Sequence, residues 1–123
     1  MEKREILIID DDTRNIFALS LVLKSKGYRV CSATEAEKGI AMLKENKNIG
    51  LLLLDMMMPE MDGYQALEQL RSAEPTRELP VIAVTAQAMQ GDKEKCLEAG
   101  ASDYISKPIN VDKLEVMLKQ FLS

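Results

Sequence analysis

The stretch Ile6-Leu7-Ile8-Ile9-Asp10-Asp11, read together with Leu51-Leu52-Leu53-Leu54-Asp55, decides the fold. Each is four large apolar residues ended by a carboxylate. Four such residues without polar alternation describe a parallel strand buried on both faces, not a strand with one wet side. Open parallel sheets bind ligands at the carboxyl ends of their strands. The pattern therefore predicts that Asp10, Asp11 and Asp55 meet at one end of a sheet. Three acids gathered there repel one another and raise one another's pKa unless a cation lies among them. A hard divalent ion that takes oxygen ligands, Mg2+ above all, answers that need.

Outward from these runs, Val81-Ile82-Ala83-Val84 is a third apolar run, closed by Thr85. In contrast, Tyr28-Arg29-Val30-Cys31-Ser32 and Ser102-Asp103-Tyr104-Ile105-Ser106 mix polar and apolar positions. Apolar strands belong inside a parallel sheet and mixed ones at its edges. Strands are thus predicted near 5–9, 28–32, 50–54, 80–84 and 102–106, and helices near 13–26, 35–46, 63–72, 90–99 and 111–122. Strand and helix alternate five times, the signature of βαβ units. With strands two and five at the edges, the order 2-1-3-4-5 follows: an α/β, doubly wound, flavodoxin-like sheet with five helices. Right-handed crossovers then set the carboxyl ends of strands one and three side by side.

Helix ends carry their own signals. Gly27 and Gly100 stand where a left-handed residue would stop the first and fourth helices. Asp12 reads as the N-cap of the first helix, Thr34 with Glu37 as a capping box for the second, and Asn110 as the N-cap of the last. In that last helix Leu114, Met117, Leu118 and Phe121 fall on one stripe, the mark of packing against a sheet.

A chain of 123 residues, 46% hydrophobic, can build one core and not two, so residues 1–123 are expected to form a single domain. A net charge of −4 without any run of Lys or Arg argues against direct nucleic-acid binding. Cys31 and Cys96 lie far apart with no His in the chain, which excludes a zinc site or a redox CxxC and leaves two small buried thiols. No stretch approaches eighteen apolar residues and the charged start fits no signal peptide, so a soluble, cytoplasmic protein with no membrane partner is expected. Absence of His also excludes an imidazole base or a phosphohistidine on this chain. Any phosphate chemistry here falls to a carboxylate.

Two more strand ends add function: Thr85 offers a hydroxyl to a phosphoryl oxygen, and Lys107, followed by Pro108, offers an ammonium that neutralises such a group or pairs with Asp55 in its absence. The set IIDDD (8–12), LLDMMMPEMDG (53–63), VTA (84–86) and YISKP (104–108) resembles the receiver domain of two-component response regulators, from Ile6 to Leu122. The resemblance implies that Asp55 accepts a phosphoryl group from a partner's phosphohistidine and later loses it to water. It implies Mg2+, with Mn2+ able to substitute, held by Asp10, Asp11, Asp55 and the backbone carbonyl of Met57. Thr85 and Lys107 would act on the phosphoryl oxygens, Thr85 and Tyr104 would be switch residues, and Lys107-Pro108 would be a cis bond. The partner would be a histidine kinase or a histidine phosphotransfer domain docking at Arg14, Asn15, Ala18 and the loop after Lys107.

The stretches 10–15 and 85–109 are most similar to receivers attached to hybrid sensor kinases, so the chain is expected to be such a module or a free-standing regulator, a phosphoacceptor and not an enzyme. Two rivals stand beside this reading. Asp10-Asp11-Asp12-Thr13 also resembles the nucleophile loop of haloacid-dehalogenase-like phosphatases, with Asp10 as nucleophile and Asp12 as acid, although the Gly before Thr, a cap and the downstream acids are absent. The other rival is a receiver that serves as an unphosphorylated scaffold. Met56-Met57-Met58 and Met61 read as loop packing in preference to a sticky surface.

Overall fold

The computed structural model describes residues 5–58, 62–85 and 91–122. Five strands, β1 (Glu5–Ile9), β2 (Arg29–Ala33), β3 (Ile49–Asp55), β4 (Val81–Thr85) and β5 (Asp103–Ser106), form one parallel sheet in the order β2-β1-β3-β4-β5. Five helices alternate with them: α1 (Thr13–Ser25), α2 (Ala36–Glu45), α3 (Gly63–Ser72), α4 (Asp92–Glu98) and α5 (Val111–Leu122). The order and edge assignments match the sequence expectation.

Alternation along each inner strand divides its side chains between two cores. Leu7, Ile9, Leu52, Leu54, Val81 and Ala83 point to the side covered by α2 and α3. Ile6, Ile8, Leu51, Leu53, Ile82 and Val84 point to the side covered by α1 and α5. The two faces explain why the inner strands show no polar alternation. Each fully buried Leu or Ile contributes about 1.5–3 kcal/mol, so the buried runs 6–9 and 51–54 hold β1 and β3 firmly. Their register, Ile9 opposite Leu54, sets Asp10 beside Asp55 on that rigid base.

Most caps form as their chemistry predicts. Asp12 accepts the backbone N–H of Arg14 at the start of α1, and Asn110 accepts that of Lys113 in α5. Gly27 and Gly100 adopt φ of +94° and +118°, conformations that side chains resist. The Thr34–Glu37 capping box does not form. α2 starts one residue later, with Glu35 as an N-cap that makes no side-chain cap bond, so Glu37 falls at the second helical position and not the third, from which a box closes. The box forms instead in α3, where Asp62 and Gln65 exchange bonds.

A 3-10 turn at Glu74–Thr76 is also absent from the sequence reading. It is held by Arg71, whose guanidinium donates to the carbonyls of Gly100, Thr76 and Arg77. Cys96 is buried as expected, whereas Cys31 on edge strand β2 is only half-buried. Burial and the neighbouring Glu5 push the Cys31 thiol up to about 12, which keeps it protonated and inert.

Candidate functional site

The ends of β1 and β3 bring the acids together. Carboxylate oxygens of Asp10, Asp11 and Asp55 lie within 4.8 Å of one another. Asp10 and Asp55 are buried and Asp11 is exposed, so the cluster opens to solvent through Asp11. Each buried acid is fixed by its own chain: Asp10 Oδ1 accepts the N–H of Asp12 at 2.9 Å, and Asp55 Oδ1 accepts that of Met57 at 3.0 Å. Their other oxygens face Lys107, whose Nζ is 3.5 Å from Asp10 Oδ2 and 3.5 Å from Asp55 Oδ2. The sequence reading foresaw the pairing with Asp55 and not the one with Asp10.

Lys107 is aimed by the backbone. Its N–H donates to the Thr85 carbonyl at 2.7 Å, extending the β4–β5 ladder by one bond, and the Lys107-Pro108 peptide is cis. Thr85 is buried at the end of β4 on the same rim. Tyr104 is half-buried on β5, packed against the core under α2 and α3. Met56 and Met58 are buried and Met57 is 64% exposed, so two of the three methionines pack the loop and one does not. Pro59, Glu60 and Met61 of the LLDMMMPEMDG motif, and Ala86 of VTA, lie outside the described residues.

Burial holds the Asp10 carboxyl above its ordinary pKa; the Asp12 N–H and Lys107 oppose that shift, and Asp55 adds to it. The folded chain therefore binds more protons than the unfolded one between the ordinary carboxylate pKa and the raised value. Across that window stability falls as pH rises. Three hard oxygen donors and a surplus of negative charge suit a divalent cation, which would relieve the same strain. We expect Asp10→Asn, which keeps the acceptor for Asp12, to melt several degrees above the parent at neutral pH in chelator and to lose most of the parent's stabilisation by Mg2+. Thermal melts across pH check it. A variant that melts below the parent in chelator would make Asp10 a structural acid.

Next to the acids a groove of about 470 Å³ runs between α1 and the segment after β5, lined by Asn15, Ala18 and Val22 on one side and Lys107, Pro108 and Ile109 on the other. Phe17 and Leu21, one turn apart on α1, are 67% and 55% exposed. The sequence reading missed this pair, although the signal was present. Six of the eight residues from Ile16 to Leu23 are large and apolar, more than one helix face can bury.

Residues 6–119 match the family model of the response regulator receiver domain. Hybrid signal transduction histidine kinase I of Dictyostelium discoideum is 36% identical over 116 aligned positions, the match covering 89% of this chain and 7% of that protein. The chain thus spans a small fraction of that relative's length. The receiver domain of sensor histidine kinase PA1611 from Pseudomonas aeruginosa, solved with magnesium in its active-site cleft, superposes with a TM-score of 0.87 at 34% identity, covering 97% of both chains. The Saccharomyces cerevisiae receiver of Ssk1, solved with the histidine phosphotransfer protein Ypd1, gives 0.89 at 25% identity over 98% of this chain and 90% of that one. These matches support the receiver over the phosphatase. Asp12, the acid that the phosphatase would need, is occupied as a helix cap.

Proposed function

The chain belongs to the response regulator receiver domain family, and on that premise we propose that Asp55 is its phosphoacceptor. One observation carries the proposal: a buried carboxylate, at the end of a strand buried along its whole length, faces two further acids and one lysine. A carboxylate oxygen of Asp55 attacks phosphorus, the P–N bond to the donor's imidazole breaks with its electron pair going to that nitrogen, and the ring, protonated on its other nitrogen in the phosphohistidine, leaves as neutral imidazole. Water later attacks the same phosphorus, releasing inorganic phosphate and restoring the carboxylate. On this reading the domain is a signalling acceptor that assists its own phosphorylation and dephosphorylation, and not an enzyme with a separate substrate.

Asp10, Asp11, Asp55 and the Met57 carbonyl would hold Mg2+, or Mn2+ in its place. Bound there, the ion supplies positive charge to acids and phosphoryl oxygens that otherwise repel each other. Lys107, already shared between Asp10 and Asp55, exchanges carboxylate oxygens for phosphoryl oxygens when the group arrives. Thr85 donates its hydroxyl to the same oxygens, and Tyr104 turns behind it as the switch. Residues 1–123 act as one domain, in a hybrid kinase or as a free regulator, and function in the cytoplasm. Among the described residues no helix is long and apolar enough to cross a membrane.

The donor is a histidine kinase or a histidine phosphotransfer domain whose phosphohistidine helix lies along α1. Arg14, Asn15 and Ala18 are exposed on α1, the apolar groove beside Lys107 lies on one flank, and Phe17 and Leu21 add apolar area on the outer surface. A small donor needs none of this surface. Ala18→Glu is therefore expected to slow transfer from a phosphorylated phosphotransfer domain by about tenfold, the effect of some 1.4 kcal/mol of lost docking. Acetyl phosphate should label the variant at the parental rate. Equal slowing with both donors would mean damage to the site, and no slowing with either would move the docking face elsewhere.

A further inference from the structure

α4 is the shortest of the five α-helices. It has seven residues, follows Gly91 in a left-handed conformation with no side-chain cap bond, and leaves Leu97 39% exposed while Cys96 is 1% exposed. So short a helix persists only through its tertiary contacts. One of these comes from α3. The Tyr64 hydroxyl lies 3.8 Å from Cys96 Sγ, and the Lys95 ammonium sits 4.8 Å from the centre of the Tyr64 ring.

Tyr64 is itself joined closely to the candidate phosphoacceptor. Met56, the residue after Asp55, donates to Val84 O and accepts from the N–H of Gly63 at 3.3 Å. Gly63 and Met56 touch so tightly that a Cβ on Gly63 would stand 2.6 Å from Met56 Cα. The N–H of Met57 in the same loop is bonded to Asp55 Oδ1, an acceptor that loses negative charge when the carboxylate becomes an acyl phosphate.

We propose that Tyr64 is a positioning residue that ties α4 to the phosphoacceptor strand, so that a change at Asp55 reaches α4 laterally through α3. The path runs Asp55, Met56, Gly63, Tyr64 and then Lys95 and Cys96. It is separate from the covalent route through Thr85 and the segment that follows. The proposal rests on Asp55 as phosphoacceptor for the signal it carries, but not for the tie itself.

Amide hydrogen exchange and backbone amide shifts with and without beryllofluoride and Mg2+ test it in the full chain. In Tyr64→Leu, α4 amides should exchange roughly tenfold faster before any addition, the combined loss of a ring–ammonium contact and a hydroxyl–sulfur contact. Amides of α2 should be unaffected. Beryllofluoride-induced shifts should be lost at 92–98 and kept at 56–58. Tyr64→Phe, which keeps the ring beneath Lys95, should restore much of both. Parental exchange and parental α4 shifts in Tyr64→Leu overturn the proposal. Should that variant fail to fold, Lys95→Met at an exposed position serves, and parental α4 exchange there overturns it equally. A parent chain that shows no response to beryllofluoride refutes the phosphoacceptor reading, while α4 exchange in the untreated variants still decides the tie.

Discussion

Asp55→Asn is expected to take up no phosphoryl group from acetyl phosphate under conditions in which the parent is labelled. The substitution is nearly isosteric, so β3 keeps its packing and the Oδ1 acceptor for Met57 is retained. What is lost is the nucleophile, and an amide does not replace it. Asp10 makes the same two contacts as Asp55, a backbone N–H on one oxygen and Lys107 beside the other, so an adduct on Asp10 in the variant would show that these contacts do not select the acceptor. Asp11 is exposed to solvent, away from the lysine that Asp10 and Asp55 share, and is not expected to be labelled. An effect this complete is not expected of any surface acid. An undiminished adduct in the variant would place the acceptor elsewhere.

Removing divalent cations should cost nearly as much. An anionic donor approaching the parent site in chelator meets three carboxylates against one lysine. One uncompensated charge pair near 4 Å at a protein surface is worth up to about 4 kcal/mol. With allowance for solvent at the Asp11 side, labelling should slow about a hundredfold. Asp11→Ala should weaken Mg2+ binding strongly even when the metal is supplied. Asp12→Ala should cost about 1 kcal/mol of helix capping and leave Mg2+ affinity near parental. Titration of Mg2+ against both variants separates the two roles, and equal losses would mean that Asp12 belongs to the cation site.

The fold was legible because burial on both faces leaves a direct trace in β1, β3 and β4: apolar runs with no polar position, each followed by a residue of the candidate site. Edge strands are legible by contrast with those runs. Helix starts were less so. Thr34 and Glu37 have the residue types of a capping box, but α2 begins at Ala36, one residue too late for Glu37 to close it, and the local sequence does not mark that shift. The Glu74–Thr76 turn escaped for a similar reason. Its partners are three backbone carbonyls brought to Arg71 from two separate segments, one holding Thr76 and Arg77 and the other Gly100. At the site, the meeting of Asp10, Asp11 and Asp55 followed from strand order alone. The division of Lys107 between two acids did not, because it depends on where the backbone after β5 delivers a long side chain. The exposure of Met57 between two buried methionines was likewise invisible in a run of identical residues.

The central claim, that Asp55 receives the phosphoryl group with the help of a divalent cation, is tested most directly by mass. The parent chain is incubated with acetyl phosphate and Mg2+, measured intact, and then digested and mapped. The account predicts one adduct of roughly 80 Da, confined to the peptide that carries Asp55 and absent when chelator replaces Mg2+. An adduct on any other peptide, or no adduct with Mg2+ present, would contradict it.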